Sequence, residues 1–493
     1  MRRSPLRPLA LALALLALLL PVGGLAAEAR PNLVVFVADD LGWADLSCYG
    51  STFYETPNLD RLAREGARLT NAYAACPVCS PTRASLVTGR WPQRTGVTEF
   101  IGAPQPEKWI RNTRLMPAAY AERLELSETT FAEVLKGGGY KTFFAGKWHL
   151  GPEGYWPENQ GFDFNHGGVD FGGPYGGKKY FSPYGNPRLT DGPPGEHLPD
   201  RLASEAAKFI AAHKKAPFLI YLPFYDVHTP LMAREDLRLK YEAKRERLGL
   251  KENFGTETGS EVRLNQTHVI YAAMVEAMDQ AVGKILAALD EQGVAKNTLV
   301  IFTSDNGGLS TSSGMPTSNV PLRAGKGWLY EGGIREPFLA RWPEKIKAGA
   351  VIDTPVTSPD LMPTLLAAAR VAAPAGLDGR SMIPLLVEDK APPERAIFWH
   401  YPHYANQGGA PGAAIRRGDW KLIEWFEDGK LELFNVVRDQ SEAKDMAARE
   451  PARVAALKAE LHAWQKDVNA RFPTPNPKFD PAKPDGRRLP RRQ

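Results

Sequence analysis

The sequence predicts an α/β fold with a large mixed, mostly parallel β-sheet sandwiched by helices, and a smaller C-terminal α+β domain with a short antiparallel sheet. Three observations predict this fold. Continuous apolar runs of strand length recur along the chain, as in parallel strands covered on both faces. Segments with helical periodicity alternate with these runs. Near the C-terminus, Asp428-Gly429 separates two strand-like runs and is typical of a β-hairpin turn.

Four of the apolar runs lead directly into polar residues. The runs cover residues 32–38, 140–145, 218–222 and 298–303. The polar residues that follow include Asp39-Asp40, Lys147 with His149, Asp226 with His228, and Asp305-Asn306. Because parallel strands share one carboxyl edge, where ligands bind in open α/β sheets, we expect these clusters to meet in space.

Helix signals lie between the predicted strands. Thr130 and Glu133 form a capping box, and the helix that they begin is expected to end at Gly137-Gly138-Gly139. Apolar residues repeat at helical spacing from Val269 to Leu289, which predicts a helix packed against the core. Residues 452–465 are also predicted to be helical.

Composition and charge are those of a globular protein. The chain has 493 residues, of which 43% are hydrophobic and 24% charged, enough for one large and one smaller domain. The formal net charge is +5, and three of the positive charges are Arg2, Arg3 and Arg7. The rest of the chain is therefore near neutral, which does not favour nucleic-acid binding.

The N-terminus predicts export, to the periplasm or outside the cell. The three arginines precede an apolar run over residues 9–20, and small residues follow before position 28. This is the pattern of a signal peptide, here residues 1–27; an uncleaved anchor is the alternative. No later run is long and apolar enough for stable membrane insertion. We expect a catalytic domain over 28–374, a C-terminal domain over 375–475, and a basic, Pro-rich tail over 476–493. This tail is expected to be a solvated or frayed terminus, and a surface-binding arm is the alternative.

The three cysteines are Cys48, Cys76 and Cys79. An odd number in an exported protein indicates that one thiol has another use, and Cys79 is the candidate. Whether Cys48 and Cys76 are paired or free is open on the sequence alone.

Cys79 begins the segment CSPTRASLVTG, residues 79–89. We expect a helix with Ser80 as its N-cap, Pro81 in its first turn and Gly89 at its end. The free N–H groups of a helix N-terminus attract anions, and Arg83 adds a permanent cation able to grip a tetrahedral oxyanion. The segment therefore points to chemistry on a sulfate or phosphate ester. The alternative is a buried cysteine ahead of an ordinary capped helix.

Asp39-Asp40 and Asp305-Asn306 are candidate metal ligands. Two adjacent carboxylates at a buried strand end repel each other unless a cation compensates them. Oxygen ligands suit Ca²⁺ or Mg²⁺, whereas a zinc site more often recruits His or Cys. The alternative is that both pairs are turns after strands.

Four basic side chains are candidates for binding and proton transfer: Lys147, His149, His228 and Lys326. Lys147 and His149 are spaced to point to one side of an extended backbone. A lone His or Lys in a loop is usually a surface residue. The shared placement of these four side chains beyond strand ends favours a functional role. A histidine suits proton transfer near neutrality.

Residues 79–89 resemble the sulfatase signature, whose fixed positions are matched by Cys79, Pro81, Arg83 and Thr88-Gly89. In that family a maturating enzyme, the formylglycine-generating enzyme, converts the leading cysteine to formylglycine. The resemblance extends to both pairs of acidic and amide residues and to the segments around the four basic side chains. It implies that Asp39, Asp40, Asp305, Asn306 and the modified Cys79 hold one divalent cation, usually calcium.

The resemblance also implies a mechanism. One hydroxyl of the hydrated formylglycine attacks sulfur and forms a covalent sulfate ester, while His228 and Lys326 help the leaving alcohol to take a proton. His149 then deprotonates the second hydroxyl, the aldehyde re-forms and sulfate leaves. Arg83, Lys147 and Lys326 offset the charge on the sulfate oxygens together with the metal.

We therefore expect an exported, calcium-dependent sulfatase that acts on a sulfated carbohydrate or another sulfated small molecule. Two alternatives are a phosphodiesterase or phosphonate monoester hydrolase on the same scaffold, and a carbohydrate-binding relative without catalysis. Residues 167–195 are expected in a surface loop, and the charged residues 235–263 in a solvated helix. His400, His403 and Tyr404 are expected to be packing aromatics with exposed histidines; sugar binding is the alternative.

Overall fold

A nine-stranded sheet forms the centre of the larger part of the molecule. The computed structural model describes residues 29–312 and 314–487. The predicted signal peptide lies outside these residues. The strands of the large sheet are β1 (Asn32–Ala38), β2 (Ala67–Tyr73), β4 (Lys141–Ala145), β5 (Phe164–His166), β6 (Phe218–Pro223), β9 (Thr298–Ser304), β10 (Arg335–Arg341), β11 (Ala350–Ile352) and β12 (Val356–Thr357).

The sheet is mixed but mostly parallel. Its order is β11-β2-β10-β9-β1-β6-β4-β5, with β12 also paired to β2. Strand β10 is antiparallel to both neighbours, and the other pairs are parallel. The four strands predicted from apolar runs, β9, β1, β6 and β4, are consecutive in this order. Their carboxyl ends therefore share one edge, as predicted.

The described residues form eleven α-helices, most of which cover the two faces of the sheet. They are α1 (Pro57–Glu65), α2 (Cys79–Thr88), α3 (Pro92–Thr95), α4 (Phe131–Gly137), α5 (Leu198–His213), α6 (Glu235–Arg247), α7 (Val269–Glu291), α8 (Glu331–Ile334), α9 (Leu361–Ala369), α10 (Ile383–Val387) and α11 (Pro451–Asp467). Alternate residues of β1 face opposite cores: Val34 and Phe36 pack with α1, α5, α6 and α7, whereas Val35 and Val37 pack with α2, α4, α9 and α10. The predicted sandwich is confirmed, and so is the capping box of α4.

The C-terminal sheet is antiparallel, with the order β13-β14-β15-β16. Its strands are β13 (Ala396–Tyr401), β14 (Gly412–Arg417), β15 (Trp420–Trp425) and β16 (Leu431–Asn435), and α11 packs against it. Asp428-Gly429 lies between β15 and β16, which confirms the predicted hairpin. The predicted domain boundaries remain a prediction.

Two predicted surface features are wrong. The charged residues 235–263 form a helix, α6, only in their first half; the second half is a hairpin of β7 (Phe254–Glu257) and β8 (Ser260–Arg263). His400 and His403 are buried rather than exposed. The ring nitrogens of His400 contact Arg471 O and the Gln465 side chain, and His403 Nε2 contacts the Thr98 hydroxyl. The predicted packing of this aromatic segment is correct.

The described part of the C-terminal tail is not frayed. A strand of Thr474–Pro475, β17, pairs with Leu115–Met116, β3. Beyond it, the Asn476 amide donates to Arg114 O, and the Gly486 amide donates to Asn112 O. The tail therefore folds back onto residues 111–116 through backbone hydrogen bonds that the charge pattern does not reveal. The residues described contain no helix long and apolar enough to cross a membrane.

The beginning of α1 depends on α7. Thr56, the N-cap of α1, makes no side-chain capping bond. The buried carboxylate of Asp279 on α7 instead accepts hydrogen bonds from the backbone amides of Asn58 and Leu59 and from the Asn58 side chain. Such a carboxylate satisfies free N–H groups and interacts favourably with the helix dipole.

We predict that Asp279→Ala lowers the free energy of unfolding by about 2 kcal/mol, because it leaves buried N–H donors without an acceptor. Urea denaturation measures the change. Glu291→Ala, which removes an exposed carboxylate from the end of the same helix, is the control and is expected to cost under about 0.5 kcal/mol. Equal losses in the two variants would contradict this role of Asp279.

Candidate active site

Two adjacent, fully buried carboxylates lie at the carboxyl end of the central strand β1. Asp39 and Asp40 directly follow β1, and Asp305 directly follows its parallel neighbour β9. The Asp40 amide donates to Asp305 Oδ1 at 3.2 Å, and Asn306 Nδ2 donates to Asp40 Oδ1 at 2.8 Å. The parallel register, in which Ala38 pairs with Ser304, brings these side chains together as predicted.

Two buried lysines compensate the two carboxylates. Lys147 Nζ lies 2.7 Å from Asp39 Oδ2, and Lys326 Nζ lies 2.7 Å from Asp40 Oδ1. Burial raises the pKa of Asp39 to about 7, although Lys147 opposes this shift. Burial acts most strongly to raise the pKa of Asp40, but Lys326, His228 and Lys147 together outweigh it and the pKa falls below its usual value. Asp40 is therefore a fixed anion held by Lys326.

Cys79 is the first residue of α2 rather than a residue ahead of it. The N-cap is Val78, which makes no side-chain capping bond, so the prediction that Ser80 caps this helix is wrong. The Ser80 hydroxyl instead bonds to His149 Nδ1 at 3.2 Å and accepts from the Ile101 amide. Gly89 ends the helix in a left-handed conformation, with φ of 67°, as predicted.

The thiol of Cys79 lies inside the cluster of charges. Lys326 Nζ is 3.5 Å from Cys79 Sγ. Burial raises the pKa of the Cys79 thiol to about 11, although Lys147 and Lys326 act to lower it. An unmodified Cys79 is therefore protonated near neutrality and is a poor nucleophile. All three cysteines lie in the described part of the chain, and none forms a disulfide.

Arg83 makes hydrogen bonds to two other parts of the site. Its side chain is buried, with Nε donating to Asp305 Oδ2 at 2.8 Å and Nη1 donating to Lys147 O at 3.0 Å. Its Nη2 lies 2.7 Å from Asp305 Oδ2. The guanidinium thus holds Asp305 and the backbone of Lys147 in place, and its grip on a substrate oxyanion stays a prediction.

The two histidines occupy different positions. His228 Nδ1 lies 2.6 Å from Thr229 O, which leaves Nε2 directed toward Asp40 Oδ2 at 3.8 Å. Both ring nitrogens of His149 contact protein atoms, since Nε2 lies 2.9 Å from Ile101 O and Nδ1 bonds to Ser80. Burial, aided by Lys326, lowers the pKa of His228 to about 3, and burial also lowers the pKa of His149 well below its usual value. Both rings are therefore neutral.

The residues present fit a hard divalent cation. Ligand atoms of Asp39, Asp40, Cys79 and His228 all lie within 4.8 Å of one another. Asp39 Oδ1 and Asn306 Oδ1 are buried and accept no hydrogen bond from the described residues. Buried oxygen atoms without donors are costly unless something else satisfies them, and a cation does so. Carboxylate and amide oxygens are the donor set that calcium and magnesium prefer.

Two protein-family models match this chain. Residues 31–371 match the family model for Sulfatase, and residues 324–469 match the model for N-sulphoglucosamine sulphohydrolase, C-terminal. The chain belongs to the sulfatase family. It is a sulfuric ester hydrolase, as its relatives are named. This confirms the resemblance found in residues 79–89.

Relatives match over most of their length. A sulfatase of Formosa agariphila is 33% identical over 520 residues, covering 90% of each chain. Arylsulfatase A of Homo sapiens is 34% identical over 440 residues, covering 84% of this chain and 78% of the relative. The crystal structure of Ps i-CgsB in complex with k-i-k-neocarrahexaose superposes with a TM-score of 0.74 at 30% identity, covering 90% of this chain and 95% of that one.

We predict that the unmodified Cys79 of this sulfatase resists alkylation at pH 8, because with a pKa of about 11 only about one thiol in a thousand is ionised there. Mass spectrometry of iodoacetamide-treated native protein measures the rate. We expect the rate to rise about tenfold per pH unit between pH 7 and 9.5 without a plateau. Protein unfolded in urea, in which all three cysteines react, is the control; a plateau below pH 9 would contradict the assignment.

Proposed function

We propose that this sulfatase hydrolyses a sulfate ester on a carbohydrate, through formylglycine at position 79 and one bound calcium ion. The observation that carries the proposal is the placement of Cys79 among Asp39, Asp40, Lys326 and His228. Its thiol is too weakly acidic to be the nucleophile itself. A hydrated aldehyde at the same position needs no thiolate.

The carbohydrate substrate is supported by relatives. Ps i-CgsB, whose structure holds k-i-k-neocarrahexaose, resembles this chain over nearly its whole length. N-acetylgalactosamine-6-sulfatase of Rattus norvegicus is 34% identical over 451 residues. Steryl-sulfatase of Mus musculus, at 33% identity over 455 residues, covers less of this chain, 75% against 85%. These comparisons favour a sugar over a sterol.

The proposed ion ligands are Asp39, Asp40, Asp305, Asn306 and the modified residue 79. A bound divalent cation supplies positive charge beside the oxygens of the sulfate group. Lys147 and Lys326, which pair with the carboxylates here, are free to contact sulfate oxygens once a cation takes over that compensation. Arg83 keeps Asp305 and the Lys147 backbone in position and is thus a positioning residue.

In the proposed reaction one hydroxyl of a hydrated formylglycine at position 79 would give its proton to a carboxylate of the cluster as its oxygen attacks sulfur, and the bond from sulfur to the sugar oxygen would break. Lys326, protonated beside residue 79, is the proton source for the sugar oxygen. His228 is neutral here, but an anionic ester near Nε2 favours its protonated form and makes it a second donor. His149 then takes a proton from the remaining hydroxyl, the aldehyde re-forms, and sulfate leaves. For this step the ring must exchange its contact with Ser80 or Ile101.

A phosphodiesterase or phosphonate monoester hydrolase remains the alternative function. A phosphonate monoester hydrolase of Agrobacterium radiobacter superposes with a TM-score of 0.64 but is 21% identical, which shows a common fold only. Export of this chain also belongs to the proposal, because the N-terminal pattern that predicts it lies outside the described residues.

We predict that matured enzyme releases sulfate from a defined sulfated sugar and that Cys79→Ala reduces this release at least about a thousandfold, because the nucleophile is lost. Peptide mass spectrometry of the matured enzyme is expected to show the loss in mass for the change from CH₂SH to CHO at residue 79. Parallel assays with a phosphate diester provide the comparison. Faster turnover of the diester, or activity with an intact thiol, would contradict the proposal.

We predict that Asp40→Asn weakens calcium binding at least about tenfold, because it replaces a ligand carboxylate and leaves Lys326 without its partner. Isothermal titration calorimetry of the matured protein, in the absence of substrate, measures the affinity. Glu235→Gln removes the same charge from the exposed surface of α6 and is the matched control. Equal calcium affinity in the two variants would contradict the assigned ligand.

A further inference from the structure

An exposed aromatic ring lies beside the candidate active site. Tyr175 is 56% exposed, yet its ring centroid is 6.4 Å from that of His228, with an angle of 72° between the planes. Phe164, Phe254 and Phe472 are the other exposed Phe, Tyr and Trp rings of the described residues. None of these three has a ring contact with a candidate catalytic residue. Tyr175 is therefore the exposed ring placed to meet a bound substrate.

The backbone that carries Tyr175 is held against the site. A Cβ atom on Gly172 would lie 2.9 Å from the His149 ring, so this loop runs directly past that side chain. The Tyr175 amide donates to Gly173 O at 2.8 Å. On the other side, a Cβ on Gly176 would lie 2.4 Å from Gly185 O, which shows close packing of the two backbone segments. The loop that carries Tyr175 thus passes His149, and its Tyr175 ring lies beside His228.

The phenol group is available for a ligand. Within the described residues the Tyr175 hydroxyl has no hydrogen-bond partner. Partial burial raises the pKa of Tyr175 to about 12, and the negative charge of Asp39 adds to the shift. The hydroxyl therefore keeps its proton near neutrality and can donate a hydrogen bond.

The surroundings of the ring match a sugar. Its neighbours in the loop are the buried Pro174, glycines and the exposed Lys178 and Lys179, so Tyr175 is the one exposed apolar side chain within residues 171–179. A sterol needs a continuous apolar wall, whereas a sugar ring offers one C–H face and a rim of hydroxyl groups. A single aromatic face with a polar handle suits that shape.

We infer that Tyr175 packs against the sugar ring that carries the scissile sulfate ester and thereby contributes to substrate specificity. The inference rests on the proposed carbohydrate substrate. It assigns a role to the Gly-, Pro- and aromatic-rich residues 167–195, whose function the sequence does not indicate. Tyr175 contributes binding on the alcohol side of the ester, whereas the charged cluster binds the sulfate group.

The test compares Tyr175→Ala and Tyr175→Trp with wild type, all as matured enzyme. For a sulfated monosaccharide that the wild type hydrolyses, Tyr175→Ala is expected to raise KM about three- to tenfold with kcat within about twofold, because it removes one aromatic contact. Tyr175→Trp is expected to retain a KM near that of the wild type. Phe472→Ala, which removes an exposed ring in the C-terminal part, is the matched control and is expected to change neither constant.

Competitive inhibition distinguishes the binding of the sugar from the binding of the sulfate group. The desulfated sugar is expected to inhibit Tyr175→Ala more weakly than wild type, whereas inorganic sulfate inhibits both equally. An unchanged KM in Tyr175→Ala would overturn the inference and leave the proposed function intact. Equal losses for sugar and sulfate would show that Tyr175 only supports His228 and would also overturn it. Hydrolysis of aryl sulfates but of no sulfated sugar would overturn the proposed substrate and this inference together.

Discussion

The site depends on two neighbouring carboxylates that are buried at the end of one central strand. Asp39 and Asp40 cannot both be ionised there without nearby positive charge, because burial and mutual repulsion act together. Lys147 compensates one and Lys326 the other. The helix that presents Cys79 also supplies Arg83, which holds Asp305 beside them. Each of these cations comes from a different segment of the chain, so the carboxylate pair ties the sheet edge, α2 and the loop after β9 into one structure.

The same burial and the same charges decide whether the thiol of Cys79 can act as a nucleophile. A buried thiol surrounded by carboxylates keeps its proton, even with two lysines near it. The proposed aldehyde hydrate would avoid the cost of a buried thiolate, and its oxygen would lie where the lysines and the proposed cation concentrate positive charge. The residues of the proposed pocket thus fall into two groups. The charged cluster suits the sulfate group, and the loop that carries Tyr175 suits the alcohol side of the ester.

Much of this arrangement could be predicted from sequence because it follows local rules. Apolar runs that end in polar residues indicate the strands, and parallel pairing then brings Asp39, Asp40 and Asp305 to one edge. Contacts between distant segments could not be predicted in this way. Ser80 looks like a helix cap but bonds to His149, which is 69 residues away in the chain. His403 looks exposed but is buried against Thr98. The charged residues after α6 form a hairpin, and there Arg263 is buried and paired with Glu252.

The most direct test of the account is a crystal structure of the matured enzyme grown with calcium, with anomalous diffraction used to locate the ion. We expect one calcium ion, bounded by Asp39, Asp40, Asp305, Asn306 and a formylglycine at position 79, with Lys147 and Lys326 turned from the carboxylates toward a sulfate group. An anomalous peak elsewhere, with both lysines still paired to Asp39 and Asp40, would contradict it.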